Sequence, residues 1–327
     1  MMNLSELAQE HSARERSAQE RASQEQTLQD RSESGDTLTA EGERLLPLAN
    51  MCAMTVDLED YFQVSAFESF SDREQWQQFE CRVEANTEKL LNLFEQHQIH
   101  ATFFVLGWIA EHYPQLIKSI AKAGHEIASH GYDHQRVHHL SRQGFAADIR
   151  RSKALLEDTG GVAVQGYRAP SFSISERTPW AYDELANAGY RYSSSVYPVK
   201  HDHYGSPLLP RFAFLAHPDV LEVPISTLQL MGKNFPIGGG GYFRLYPETL
   251  MQWALRRFHR QAQQPYIFYI HPWELDPKQP RPFQLSKKTQ FRHYLNLHKT
   301  EPRIARLLSK YPWRRMDELF LDKNEQG

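Results

Sequence analysis

The sequence predicts an α/β protein built on a mostly parallel sheet. Two patterns lead there. From about residue 50 onward, short apolar runs suited to buried strands alternate with stretches of helical spacing. Several polar clusters follow directly on those runs, where the active sites of parallel α/β folds gather.

Taken in order, the run 51–56 (MCAMTV) reads as a buried strand leading into the acidic cluster DLED. Helical spacing follows over 87–98, where Leu90, Leu91, Leu93 and Phe94 stand among polar neighbours. The run 101–106 (ATFFVL) is strand-like, and 112–124 reads as a helix stopped by Gly124. A short strand at 126–129 precedes a helix over 144–159, which Gly160 and Gly161 end. The remaining expectations are strands at 162–167, 221–224 and 266–270 and helices at 179–188 and 247–262, with a glycine-rich loop (PIGGGGYF) between. Strands alternating with helices imply right-handed crossovers.

Composition limits what the chain can do. It has 327 residues, with 37 Lys and Arg against 40 Asp and Glu, a formal charge of −3. That near-balance argues against a nucleic-acid binder held by broad phosphate contacts. No apolar run approaches the ~20 residues of a transmembrane helix. Cys52 and Cys81 cannot form a disulfide framework or a four-thiolate zinc site, and read as free thiols. Residues 1–44 contain no Phe, Tyr or Trp and are rich in Gln, Glu, Ser and Arg. Such a segment cannot offset its ordering entropy, so a disordered tail over 1–45 is expected before a folded domain at 46–325. The polar start lacks the apolar stretch of an export signal, which makes a cytoplasmic location the expectation.

Four clusters can carry chemistry. Asp57, Glu59 and Asp60 crowd a strand end, and packed like charges need a cation or a positive partner. His130 and His134 are four apart around Gly131, and two imidazoles with a carboxylate make a metal site with open positions. Arg168, in YRAPS, can grip a carboxylate such as Asp57, while Pro170 fixes a turn that aims the Ser171 backbone N–H at a substrate oxygen. His271 follows an apolar strand, a good place for a general acid, and Glu274 or Asp276 can orient it. Against each stands a plainer reading: a solvated acidic turn, surface histidines, a structural ion pair, or a capped strand-end histidine.

Together the four clusters resemble the polysaccharide deacetylase family, the NodB-like carbohydrate esterases. The match is closest to a branch associated with exosortase systems and exopolysaccharide gene clusters. It rests on TVDLEDYFQVSAF, SHGYDHQRVH, YRAPSFSIS, SSSVYP, GGGYFRLYP and YIHPWELDPKQPR and covers roughly residues 50–320.

The resemblance implies a distorted (β/α) barrel of roughly seven strands. It implies Asp57 as base, His130 and His134 as metal ligands, Arg168 as tether and His271 as acid. Most of the family has two adjacent aspartates; here Leu58 follows Asp57, so the carboxylate ligand falls to Glu59 or Asp60, with Glu59 favoured. The implied cofactor is a divalent metal, Zn²⁺ first among candidates. The implied reaction removes N-acetyl groups from an amino-sugar polysaccharide or a lipid-linked glycan. Tyr61, Phe62, Tyr242, Phe243 and Trp273 are aromatics near the motifs that can stack on sugar rings, each individually better suited to core. Rival readings are an allantoinase-like hydrolase of a small cyclic amide and a non-catalytic carbohydrate-binding protein.

Overall fold

A computed structural model describes residues 48–327 except 69, 202–204, 283–284 and 322–327, together with 37–38 and 44–45. Thr37–Leu38 pairs antiparallel with Arg44–Leu45. The rest of the tail expected at 1–45 lies outside the described residues. The chain divides into compact units at 1–48 and 49–327, and the larger holds every candidate site residue.

That unit begins with β1 (Cys52–Leu58), α1 (Val83–Gln96), β2 (Thr102–Val105), α2 (Gly107–His112) and α3 (Pro114–Lys122). Next come β3 (Glu126–Ser129), α4 (Arg142–Gly160), β4 (Gly166–Tyr167), α5 (Ala181–Asn187) and β5 (Tyr192–Ser193). Then follow β6 (Phe214–His217), β7 (Val220–Glu222), a hairpin of β8 (Thr227–Leu230) and β9 (Lys233–Pro236), α6 (Gly240–Leu245) and α7 (Glu248–Gln261). β10 (Tyr266–Ile270), α8 (Lys287–Tyr294), α9 (Leu297–Leu308), β11 (Trp313–Arg314) and α10 (Met316–Phe320) complete it.

The main sheet runs β10-β1-β2-β3-β4-β5-β7-β6, with β11 also beside β1. Neighbours from β10 to β7 are all parallel, and β11 is parallel to β1, which gives eight parallel strands. β6 is the antiparallel addition at one edge. The path is open, with β10 at one end and β6 at the other. Among the described residues, no helix is long and apolar enough to cross a membrane.

Successive β1 side chains point to opposite faces. Cys52, Met54, Val56 and Leu58 join the larger apolar core, which includes Leu90 and Phe94 of α1. Burying side chains of the Val or Leu type contributes about 1.5–3 kcal/mol each. Ala53 packs on the other face with Phe104, Ala128, Tyr192, Ile267 and Tyr269. Thr55 and Asp57 share that parity, so this face turns polar toward the C-terminal end of the strand.

Helix starts depart from the sequence reading where the signal is non-local. α1 begins at Val83, not 87, because the Asp60 carboxylate accepts the backbone N–H groups of Arg82 (2.5 Å) and Val83 (2.9 Å). The helix expected over 112–124 is α3, which starts at Pro114, and a separate short helix, α2, precedes it over Gly107–His112 with Tyr113 as the break.

Candidate active site

The parallel strands deliver the chemistry at their C-terminal ends. Asp57 lies in the last turn of the β1 pleat and Glu59 just beyond it; His130 follows β3, Arg168 follows β4, Ser194 follows β5 and His271 follows β10. Asp57, Glu59, His130, His134 and His271 line one cavity of about 450 Å³. The first four are almost fully buried, and His271 is slightly more open.

Glu59, His130 and His134 each offer a ligand atom within 4.8 Å of the others. The His130 Nδ1–H donates to the Arg168 carbonyl (2.8 Å), which leaves the Nε2 lone pair for the cavity. Burial pushes the His130 pKa down to about 4, against the pull of Asp57, so the ring is neutral at physiological pH, the form that binds metals. His134 reaches back into the cluster through a left-handed backbone turn (φ 59°), with Gly131 (φ 75°) earlier in the same loop. Its Nε2 lies 2.9 Å from Glu59 Oε2, yet that oxygen makes no hydrogen bond of proper geometry, and His134 Nδ1 is also without a partner. Burial raises the Glu59 pKa, but His134, His271 and His130 outweigh it and hold the carboxyl at about 2. Two imidazole nitrogens and an anionic oxygen, buried with an orphaned acceptor, fit a divalent cation of the zinc type with open positions.

Asp57 is held from below. The Arg168 guanidinium, fully buried, donates from NH1 to Asp57 Oδ1 (2.6 Å) and Thr55 Oγ1 (2.8 Å). It also donates from Nε to the Ser194 carbonyl (3.1 Å) and from NH2 to Ser194 Oγ (2.9 Å). Its carbon centre sits 4.0 Å from the Phe104 ring centroid, a cation–π contact. The Glu222 carboxylate accepts the N–H groups of Ser195 (2.8 Å) and Val196 (2.9 Å), and fixes the turn that carries Ser194.

His271 faces the carboxylates from the other side. Its Nδ1–H donates to Glu274 Oε1 (2.8 Å), while Nε2 lies 3.2 Å from Glu59 Oε1 and 3.9 Å from Asp57 Oδ2. Burial lowers its pKa, but the Glu274 hydrogen bond and the charges of Glu59, Glu274 and Asp57 win and raise it to about 9. Arg244 Nε in turn donates to Glu274 Oε2 (2.6 Å). Burial would raise Glu274, but Arg244 and His271 hold it at about 2. The row Arg244–Glu274–His271 thus supplies an oriented, protonated imidazole.

Other candidates fall outside this arrangement. Asp60 is not in the ligand cluster: its Oδ2 accepts from Arg82 and Val83 N–H and from Cys81 Sγ–H (3.1 Å), and its Oδ1 from Tyr61 N–H (2.7 Å). Asp276 does not orient His271; it accepts from Arg82 Nε (2.5 Å). Trp273 lines the cavity but is 5% exposed, and its ring stacks on His271 (5.1 Å, 22°) and His293 (4.2 Å, 12°). Tyr61, Phe62 and Phe243 are core. Tyr242 and Ser171 do line the cavity; Ser171 takes a left-handed conformation (φ 55°) and its Oγ meets Ser65 Oγ at 2.5 Å. Ser194 and Arg244 carried no assigned role in the sequence reading, although both lie inside quoted motifs, SSSVYP and GGGYFRLYP.

Comparison with known proteins places two family matches on the chain. Residues 69–193 match the polysaccharide deacetylase family. Residues 194–321 match a second family, described as a domain of unknown function (DUF3473). His130, His134 and Arg168 therefore come from the deacetylase-matching segment, His271, Glu274 and Arg244 from the second, and Asp57 and Glu59 precede both. A peptidoglycan-N-acetylglucosamine deacetylase of Bacillus cereus is 33% identical over 99 residues, 30% of this chain and 36% of that protein. The matched stretch thus spans little more than a third of that relative. A Mycobacterium smegmatis protein assigned as a polysaccharide deacetylase superposes with a TM-score of 0.55 at 19% identity, over 85% of this chain and 91% of its own. Puue allantoinase superposes with a TM-score of 0.52 at 14% identity, over 86% and 95%. At those identities the likeness is one of fold.

Proposed function

We propose that this chain is a divalent-cation-dependent hydrolase that removes N-acetyl groups from an amino-sugar glycan. One observation carries the reading: ligand atoms of Glu59, His130 and His134 lie within 4.8 Å of one another in the same cavity as an arginine-held Asp57 and a His271 whose Nδ1–H is held by Glu274. The Bacillus cereus relative's name supports the amino-sugar substrate, and the resemblance of the sequence motifs to a branch associated with exosortase systems is the ground for proposing a role in exopolysaccharide formation.

A cation held by the three ligands would supply Lewis-acid polarisation of the acetyl carbonyl and a more acidic water. Asp57, oriented by Arg168, takes the proton from the attacking water. In this reading the backbone N–H of Ser171, which lines the cavity, steadies the carbonyl oxygen. His271 gives its Nε2 proton to the departing amine, with Glu274 and Arg244 holding the ring. The products are acetate and a free amino sugar.

Acetate release from N-acetylglucosamine oligosaccharides is the test. It should stop on chelation, return on adding back Zn²⁺ or another divalent ion, and fall at least ~100-fold in Asp57→Asn. Release that survives both chelation and His130→Ala with His134→Ala would overturn the reading. Hydrolysis of allantoin without glycan deacetylation would favour the cyclic-amide rival.

A further inference from the structure

The two imidazoles of the candidate cation site are held differently. The His130 ring is fixed by its own hydrogen bond, Nδ1–H to the Arg168 carbonyl (2.8 Å). A ligating histidine ordinarily has such a partner on its second nitrogen, and that partner sets the ring's orientation. His134 has none among the described residues: its Nδ1 is buried without a hydrogen bond. The aim of its Nε2 toward Glu59 is therefore set by the backbone at residue 134. That backbone is left-handed (φ 59°), a conformation that residues other than glycine seldom take and that neighbouring contacts must hold.

Donors grip this loop in sequence order. The N–H groups of Gly107 and Trp108, at the start of α2, donate to the carbonyls of Gly131 and Tyr132 (2.9 Å each). The next two carbonyls, of Asp133 and His134, accept from one side chain, Arg73, through Nε (2.7 Å) and Nη2 (3.2 Å). A guanidinium presents its N–H groups in a rigid fork, which suits it to fix two successive carbonyls at once. Arg73 opens a 3₁₀ helix, Arg73–Gln78, whose buried Trp76 sets its ring edge-on to Trp108 of α2 (5.5 Å, 90°). The carboxylates of Glu68 and Asp133 each lie 3.9 Å from the guanidinium. The Arg73 side chain is itself 36% exposed, so removing it strands no deeply buried charge.

We propose that Arg73 is the positioning residue for His134. It locks the left-handed turn that delivers this imidazole to the cation, the part that a ring hydrogen bond plays for His130. The inference rests on the cation-site reading above and adds to that site a side chain 61 positions from the histidine it serves. Without Arg73, the α2 N–H groups still hold Gly131 and Tyr132, so the fold persists while residue 134 is released to relax and His134 loses its aim.

Zinc affinity, read by competition with a chromophoric chelator, tests this in four full-length proteins: the wild type, Arg73→Met, His134→Ala and the two substitutions combined. Arg73→Met should weaken zinc binding by about 10–100-fold on its own and add no further loss to His134→Ala. Calorimetry of the chelator-treated proteins checks that each one folds. Should the Met variant unfold, Arg73→Lys carries the same comparison. Its ammonium keeps the charge beside Glu68 but cannot span both carbonyls, so a smaller loss is expected, again absent when His134 is gone. Unchanged affinity in the folded variant, or a loss of equal size with and without His134, overturns the inference while the cation site stands. Failure of the wild type to bind zinc or any other divalent ion removes the cation-site reading and this inference with it.

Discussion

Replacing Asp60 by Asn should lower the melting temperature and leave cation binding intact, whereas Glu59→Gln should weaken cation binding. The two carboxylates are adjacent, yet their surroundings differ. Asp60 is 1% exposed and accepts four donors, two of them backbone N–H groups at the start of α1. Asn has one acceptor oxygen. It can face Arg82 and Val83 or it can face Tyr61, and its NH₂ then opposes the donor on the other side. Hydrogen bonds to a charged acceptor contribute about 1.5–3 kcal/mol, and a cap substitution costs about 0.5–2 kcal/mol. A loss of about 2 kcal/mol would lower Tm by about 4–8 °C in a domain of this size. Calorimetry of the chelator-treated protein reads the stability, and titration with Zn²⁺ reads the affinity. Loss of the anionic charge on the ligating oxygen in Glu59→Gln should weaken binding by about 10–100-fold. Asp60→Asn that abolishes zinc binding with Tm unchanged would refute the assignment of the two residues.

Two further outcomes follow from buried charges. Arg168→Met strands the Asp57 carboxylate and should cost about 3–5 kcal/mol of stability, while the double variant with Asp57→Asn should lose less than the sum of the singles; additivity in chemical denaturation would deny the coupling. Burial, with the Asp317 charge second, raises the Glu126 pKa from an ordinary 4.5 to about 8. A folded pKa above the unfolded one means that Glu126 favours the fold fully below about pH 4.5 and loses that contribution as pH rises through about 8. The stability difference between wild type and Glu126→Gln should therefore fall across that window, and a flat difference would contradict the assigned burial cause.

Much of the fold is written in local pattern. β3 and β10 occupy the segments that their apolar runs indicate, and β1 extends two residues further, to Leu58. Where a boundary depends on a distant group, local pattern fails. The start of α1 is set by Asp60, more than twenty residues earlier, and nothing near Val83 announces it. The two-residue strands β5 and β11 are too short for periodicity to register. The polar α8 and the Pro302-containing α9 carry no clear helical signature. In the site, residue type and spacing mark the clusters that hold Asp57, Glu59, Asp60, His130, His134, Arg168 and His271, and their roles come from the family resemblance. They could not separate Glu59 from Asp60, because only the turn after β1 decides which side chain enters the cavity. Arg244 and Ser194 act through partners remote in sequence, Glu274 and Arg168, so only three-dimensional contact reveals them.

The central claim is that a single divalent cation sits among Glu59, His130 and His134. X-ray absorption at the metal edge of the zinc-loaded protein tests it most directly. The spectrum should show one zinc per chain with two imidazole nitrogens and light oxygen ligands at about 2.0–2.2 Å and no sulfur, and one imidazole fewer in His134→Ala. A sulfur-containing shell, an imidazole-free shell, or a spectrum unchanged by that substitution would contradict the account.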